Sequence, residues 1–315
     1  MQNSVESFEE LALAVFNYQY THNKVYQKYC NLINKTSANR IEDIPFLPIE
    51  FFKNHRITCF EEKEEITFLS SGTTGMIQSK HHVKYLNDYI DSFKASWLHF
   101  FKDFSNYQFI PLLPAYADRE GSSLILMVQE LMKLSGQTDH TFYLNEYDKV
   151  DSAYHLAIKN GKTPIIFGVT FALLELVSRK FSFPEAIIIE TGGMKGRGKE
   201  LSREELHTEL SKLNPAQILS EYGMTELMSQ AYAMDGKNFS CPPWLKVLGR
   251  ETDDPFAHNS HKTLNAIDII DLCNLHSCSF LQTQDIGRFN HQNQQFQVLG
   301  RMAQSELRGC NLLAL

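Results

Sequence analysis

A chain of 315 residues that is 43% hydrophobic can bury one large core or two modest ones. A formal charge of −7 at pH 7 excludes the basic footprint of a nucleic-acid binder. The longest apolar run, Leu11 to Phe16, is too short to span a membrane, and the acidic start MQNSVESFEE is not a secretory signal.

The start predicts a helix. Ser7 and Glu10 have capping-box spacing, and Phe8, Leu11, Val15 and Tyr18 recur every three or four residues. IEDIPFLPIEFF (41–52) carries two prolines and is expected to wrap a surface. From about residue 64 strands and helices alternate: strand 66–70, helix 81–101, strand 109–114, helix 121–134, strand 164–169, helix 171–180, strand 186–190, helix 202–213 with a second capping box at Ser202 and Glu205, and strand 217–223. The strands are continuous apolar runs, so the expected class is α/β with a buried sheet. After about residue 240 the pattern changes to short β runs, WLKVLG, LNAIDIIDL, SFLQTQD, GRFNH and QFQVLGR. The expected organisation is an α/β core over 1–240 with a helical start, then a β-rich piece with a C-terminal tail over 241–315.

Cysteines stand at 30, 59, 241, 273, 278 and 310 without CxxC spacing, which argues against zinc and for a reduced, cytoplasmic protein. Two stretches suit phosphate. SSGTTG (70–75) has only hydroxyls and glycines, so backbone amides can approach an anion and side chains add donors; a polar turn is the alternative. GMKGRGKE (193–200) matches GxxxxGK after a strand, but Glu200 stands where a P-loop needs Ser or Thr to hold magnesium.

Taken together, SSGTTG (70–75), TGG (191–193), SEYGMTE (220–226), TQD (283–285) and VLGRMAQSELRGC (298–310) resemble, in order and spacing, the adenylate-forming enzymes, the superfamily of acyl-CoA synthetases and luciferases. PLLPAYADREGSSL (111–124), ETGGMKGRGKE (190–200) and GRMAQSELRGC (300–310) look most like the LuxE-like acyl-protein synthetase branch. The resemblance implies the large N-terminal domain of these enzymes: layered α/β sheets with a β-rich C-terminal subdomain. It implies ATP and Mg²⁺, activation of a carboxylic acid, usually a fatty acid, as an acyl adenylate, and transfer to a thiol of CoA, a partner protein or the enzyme itself.

Residue roles follow from the same resemblance. Ser70, Ser71, Gly72, Thr73, Thr74 and Gly75 would hold the β- and γ-phosphates. Gly192 and Gly193 would lie flat against adenine and Tyr222 would stack on it. Thr225 would donate to the α-phosphate, and Glu226, a hard oxygen ligand, would hold Mg²⁺. Asp285 would accept the ribose hydroxyls and Arg301 would contact ribose or phosphate. Cys310 would accept the acyl group as a thiolate, and the other cysteines are read as packing residues. His81, His82, Tyr116, Asp118 and Arg119 stand where a substrate acid would enter; of these, His82, Tyr116 and Arg119 are the chosen substrate-side candidates.

The chain departs from the family in three places. Met76 to Ser79 stand where many relatives have a lysine, TQD replaces TGD, and the chain ends six residues after Gly309, where larger members continue into a mobile lid. The expected architecture therefore lacks that lid. Two other readings stay open: a nucleotide-binding partner subunit with little catalysis, and a P-loop NTPase using Gly193 to Lys199.

Overall fold

The computed structural model describes residues 7–71, 77–114, 121–144, 146–192, 201–258, 264–290 and 295–302. Two helices open the chain, α1 (Phe8–His22) and α2 (Lys24–Leu32). The first capping box is formed as expected: Ser7 Oγ accepts from the Glu10 amide at 3.2 Å and the Glu10 carboxylate accepts from the Ser7 amide at 2.7 Å. Asn23 then caps α2, accepting from the amides of Val25 and Tyr26.

The segment 41–52 does not wrap the surface. Ile41, Ile44, Phe46, Leu47 and Phe52 are all buried. It forms β1 (Leu47–Pro48), paired in parallel with a later strand, and the short α3 (Phe51–Asn54). A proline is tolerated there because β1 is an edge strand, where the missing N–H faces no partner.

The expected helix over 81–101 is also corrected. Residues 80–83 form a strand, and the helix begins only at Leu86. β2 (Ile66–Leu69) and β3 (Lys80–Val83) make an antiparallel hairpin in which Phe68 faces His81 and Thr67 faces His82. His81 and Val83 are buried while Lys80 is exposed, an alternation of period two that no helix supports. The Ser/Thr/Gly stretch therefore lies between two strands, not between a strand and a helix.

α4 (Leu86–Phe101) buries Tyr89, Phe93, Trp97 and Phe101, four residues apart, as one aromatic face. Trp97 stacks on Phe101 with ring centroids 3.9 Å apart. The core then follows in order: β4 (Tyr107–Leu112), α5 (Ser123–Leu134), α6 (Tyr147–Lys159), β5 (Thr163–Val169), α7 (Thr170–Ser178), β6 (Ile187–Thr191), α8 (Arg203–Leu210) and β7 (Gln217–Tyr222). α8 carries the second capping box, Ser202 with Glu205. β4 to β7 are parallel neighbours in sequence order, and β8 (Ala231–Ala233) closes the sheet antiparallel to β7. Ile165, Ile166, Phe167, Ile188, Ile189 and Leu219 are fully buried, the signature of strands covered on both faces.

The β-rich end forms a second sheet of β9 (Leu245–Arg250), β10 (Asn265–Asp271), β11 (Phe280–Asn290) and β12 (Gln295–Arg301), joined by β1 at the free side of β11. SFLQTQD and GRFNH, read as separate runs, are one strand with an irregular register at Ile286/Gly287. Gly287 permits it: a Cβ there would lie 2.2 Å from the Gln297 carbonyl oxygen. Hydrophobic packing does not follow chain order. One cluster joins α4 to α8 with the parallel sheet, and the other joins residues 12–57 with the second sheet. No helix among the described residues is long and apolar enough to cross a membrane.

Candidate functional site

Parallel sheets collect functional groups at the carboxyl ends of their strands, where loops leave the fold. β6 ends there at Thr191 and β7 at Tyr222. The next residues thread between the two clusters: Tyr222 and Leu227 pack in the second, Met228 and Tyr232 in the first.

At this seam Tyr222, 8% exposed, meets the second sheet. Its ring contacts Phe239 and Phe296, with centroids 5.7 and 5.4 Å away. Its hydroxyl donates to Asp285 Oδ2 at 2.8 Å. Burial, then the Asp285 carboxylate, push the phenol well above its ordinary range, so it stays a donor. Asp285 on β11 stands opposite Arg301 on β12, whose Nε donates to Asp285 Oδ1 at 2.9 Å. Asp285 holds the guanidinium above its usual value. Among the described residues each carboxylate oxygen takes one side-chain donor, and a carboxylate oxygen has capacity for a second. Tyr222, Asp285 and Arg301, separated by as many as 79 positions in sequence (301 − 222), thus form one linked group.

The hairpin enters from the other side. Ser70 closes its end: its amide donates to the Ser79 carbonyl at 3.1 Å and its Oγ accepts from the Ser79 amide at 2.9 Å. Ser71 is exposed beside it. Glu226 is 6% exposed; burial raises its carboxyl pKa and a hydrogen bond from Ser79 opposes the rise. Thr225, half-buried, precedes it, and its carbonyl lies 2.8 Å from His81 Nδ1. A buried carboxylate of raised pKa favours a cation beside it. Magnesium is commonly held by one or two carboxylates plus phosphates and water. As a single buried carboxylate, Glu226 fits a cation that arrives with its own phosphate ligands.

The remaining candidates divide. Gly192 has a left-handed φ of 67° and its carbonyl accepts from Thr170 Oγ1 at 2.8 Å, which fixes the turn leaving β6. His82 turns to Glu64 at 3.0 Å and Thr67 at 3.2 Å, on the hairpin rather than at the seam. Gly72, Thr73, Thr74, Gly75, Tyr116, Arg119, Gly193 and Cys310, together with the whole P-loop-like stretch 193–200, lie outside the described residues. Burial pushes the thiols of Cys30, Cys59, Cys241 and Cys273 up to about 12, which suits packing and not nucleophilic attack. A groove of ≈590 Å³ between α7 and α8, lined by residues including Leu174, Val177 and Leu201, shares no residue with the seam.

Sequence reasoning missed Ser79, Asn274 and Glu221. Glu221 faces away from Tyr222 and is 7% exposed, accepting a hydrogen bond from Thr191 Oγ1. Burial pushes its carboxyl from 4.5 up to about 7. A raised carboxyl pKa means that the folded state holds the proton more tightly. The stabilisation is full below pH 4.5 and is lost as pH rises through about 7. That rise corresponds to roughly 3 kcal/mol. Glu221→Gln keeps the hydrogen bond and removes the titration. Denaturant unfolding of both proteins between pH 4 and 8 should show wild type losing roughly 3 kcal/mol relative to the variant. A difference that stays flat with pH would refute the assignment. His81, pushed down to about 4 by burial, acts in the opposite direction but is common to both proteins and cancels.

Residues 2–86 match the family described as acyl-protein synthetase, LuxE. A long-chain-fatty-acid–luciferin-component ligase of Photorhabdus luminescens is 38% identical over 71 residues, 22% of this chain and 60% of that protein. The fold is similar to that of part of O-succinylbenzoate coenzyme A synthetase (MenE) from Bacillus subtilis. Its AMP complex aligns with a TM-score of 0.51 at 18% identity over 76% of this chain and 50% of that one. Its complex with ATP and magnesium aligns with the same score over 75% and 49%. The chain thus spans about half the length of these synthetase structures. The fold class expected from the motifs, the N-terminal domain of adenylate-forming enzymes with a β-rich end, is the one observed.

Proposed function

We propose that a chain with this fold and seam activates a carboxylic acid, of the fatty type, with ATP as an acyl adenylate and then passes the acyl group to a thiol. The observation that carries this reading is the linked group Tyr222–Asp285–Arg301 beside the buried carboxyl of Glu226, at the carboxyl end of a parallel sheet. Asp285, already positioned by two donors, uses its remaining acceptor capacity for the two ribose hydroxyls. Arg301, exposed apart from its pair with Asp285, presents its remaining N–H groups toward ribose or phosphate. Ser70 and Ser71, with the residues that follow them, supply donors to the β- and γ-phosphates. Thr225 donates to the α-phosphate.

In the first step a substrate carboxylate oxygen attacks the α-phosphorus. The new P–O bond forms as the bond to pyrophosphate breaks, and pyrophosphate leaves with the electron pair. Bound at Glu226, Mg²⁺ would offset the charge developing on the phosphates. In the second step a thiolate attacks the acyl carbonyl and AMP leaves. The thiol is Cys310, a partner protein or CoA. The fatty substrate class and the protein acceptor come from the acyl-protein synthetase match over residues 2–86 and from the luciferin-component ligase.

The test is carboxylate-dependent exchange of labelled pyrophosphate into ATP. Exchange with a medium- or long-chain fatty acid supports the reading. ATP binding without exchange across a broad acid panel would replace it with a nucleotide-binding subunit. Carboxylate-independent release of inorganic phosphate, abolished by Lys199→Ala, would replace it with a P-loop NTPase.

A further inference from the structure

A continuous line of buried hydrogen bonds runs from the first helix to the candidate metal ligand. Gln19 on α1 is fully buried, and its Nε2 donates to the carbonyls of Asn274 at 2.9 Å and Leu275 at 3.0 Å. Its Oε1 accepts from the Ser279 amide at 2.9 Å. Both ends of this amide are therefore committed to the turn between β10 and β11. Asn274, in that turn, is 2% exposed and donates from Nδ2 to the Glu226 carbonyl at 2.8 Å. Its Oδ1 lies 3.0 Å from His81 Nε2. His81, 1% exposed, presents Nδ1 to the Thr225 carbonyl at 2.8 Å. A carbonyl only accepts, so Nδ1 carries the single proton of the neutral ring, and the contact of Nε2 with Asn274 Oδ1 is one of packing and not a hydrogen bond.

The arrangement has a physical logic. Residues 223–230 leave β7 without regular structure before β8, so their backbone has no ladder to hold it. Two consecutive carbonyls, those of Thr225 and Glu226, are instead each held by a buried side chain from a different part of the chain. Buried polar groups left unpaired are costly, so two carbonyls each satisfied by a buried donor select one conformation of this stretch. A second brace ends on the same loop: Asp271, fully buried, accepts from the amides of Met228 and Ser229 at 2.8 and 3.0 Å.

We propose that Gln19, Asn274 and His81 form a strut that fixes the backbone of Thr225 and Glu226, making Asn274 and His81 positioning residues for the metal–phosphate end of the site. The proposal rests on the adenylation reading for its catalytic consequence, but its structural half stands independently. The N-terminal helices are then part of the foundation of the site, not an appendage to it.

Two nearly isosteric substitutions separate positioning from bulk. In His81→Asn the amide occupies the place of Nδ1 and retains a donor for Thr225. In His81→Gln it occupies the place of Nε2, and that donor is lost. Asn274→Leu removes the donor to Glu226. Hydrogen exchange of the ligand-free proteins should show the amides of 224–230 exchanging at least about tenfold faster in His81→Gln and Asn274→Leu, with α7 unchanged. In ATP–pyrophosphate exchange the same two variants should need about tenfold more Mg²⁺ for half-saturation at an unchanged KM for the acid. His81→Asn should stay within about threefold of wild type by both readouts. Unaltered protection of 224–230 in both impaired variants, or His81→Asn behaving like His81→Gln, overturns the strut. If wild type shows no pyrophosphate exchange, the adenylation reading fails, and hydrogen exchange still decides the strut.

Discussion

Glu226→Gln is expected to lower carboxylate-dependent ATP–pyrophosphate exchange about 10²- to 10³-fold, the usual cost of removing one fixed electrostatic group from a transition state. The protein should fold as well as wild type or slightly better. Burial already raises the pKa of this carboxyl, so the folded state bears a cost for its charge that the neutral amide does not. This opposition of signs makes the prediction sharp: a structural glutamate would lose stability and activity together, whereas a metal ligand loses activity alone. Isotope exchange at saturating Mg²⁺, paired with denaturant unfolding, reads both. Wild-type exchange by the variant would remove Glu226 from the metal site and with it half of the proposed chemistry.

Asp285→Ala should weaken ATP binding about 10²-fold, because two hydrogen bonds to a charged acceptor disappear at once. Folding should suffer less. Arg301 is largely exposed, so releasing it costs little, while the buried Tyr222 hydroxyl loses its partner at about 1–3 kcal/mol. The decisive comparison is between ATP and its 2′,3′-dideoxy analogue by titration calorimetry. Wild type should bind the analogue far more weakly than ATP, and the variant should bind both alike. A variant that still prefers ATP would show that Asp285 does not read the ribose.

Much of the fold was legible because its signals are local. Ser7–Glu10 and Ser202–Glu205 close capping boxes within one turn, and PIIFGV and AIIIE can only be strands buried on both faces. The misreadings have local causes too. HHVKYL matches a helical spacing as well as a strand, and only pairing with β2 selects the strand for residues 80–83. The prolines of 41–52 suggest a surface path, yet an edge position beside β11 buries the segment. In the site, each motif gave its own residues and none gave its partners. TQD did not disclose that Asp285 would meet Tyr222 and Arg301, and nothing near His81 hinted at Asn274, 193 positions away.

By itself the sequence determined the chemistry on offer: a hydroxyl–glycine loop, a carboxylate after a threonine, an aspartate in a β run and an α/β core to carry them. These are properties of neighbours a few bonds apart, and local sterics and solvation fix them. Only the tertiary structure decided that α1 and the second sheet share one core, that the hairpin reaches Thr225 through His81, and that the aspartate is held between a tyrosine and an arginine. Those pairings join groups as many as 260 positions apart, between Gln19 and Ser279, and they form only where burial makes an unsatisfied donor or acceptor too costly to leave.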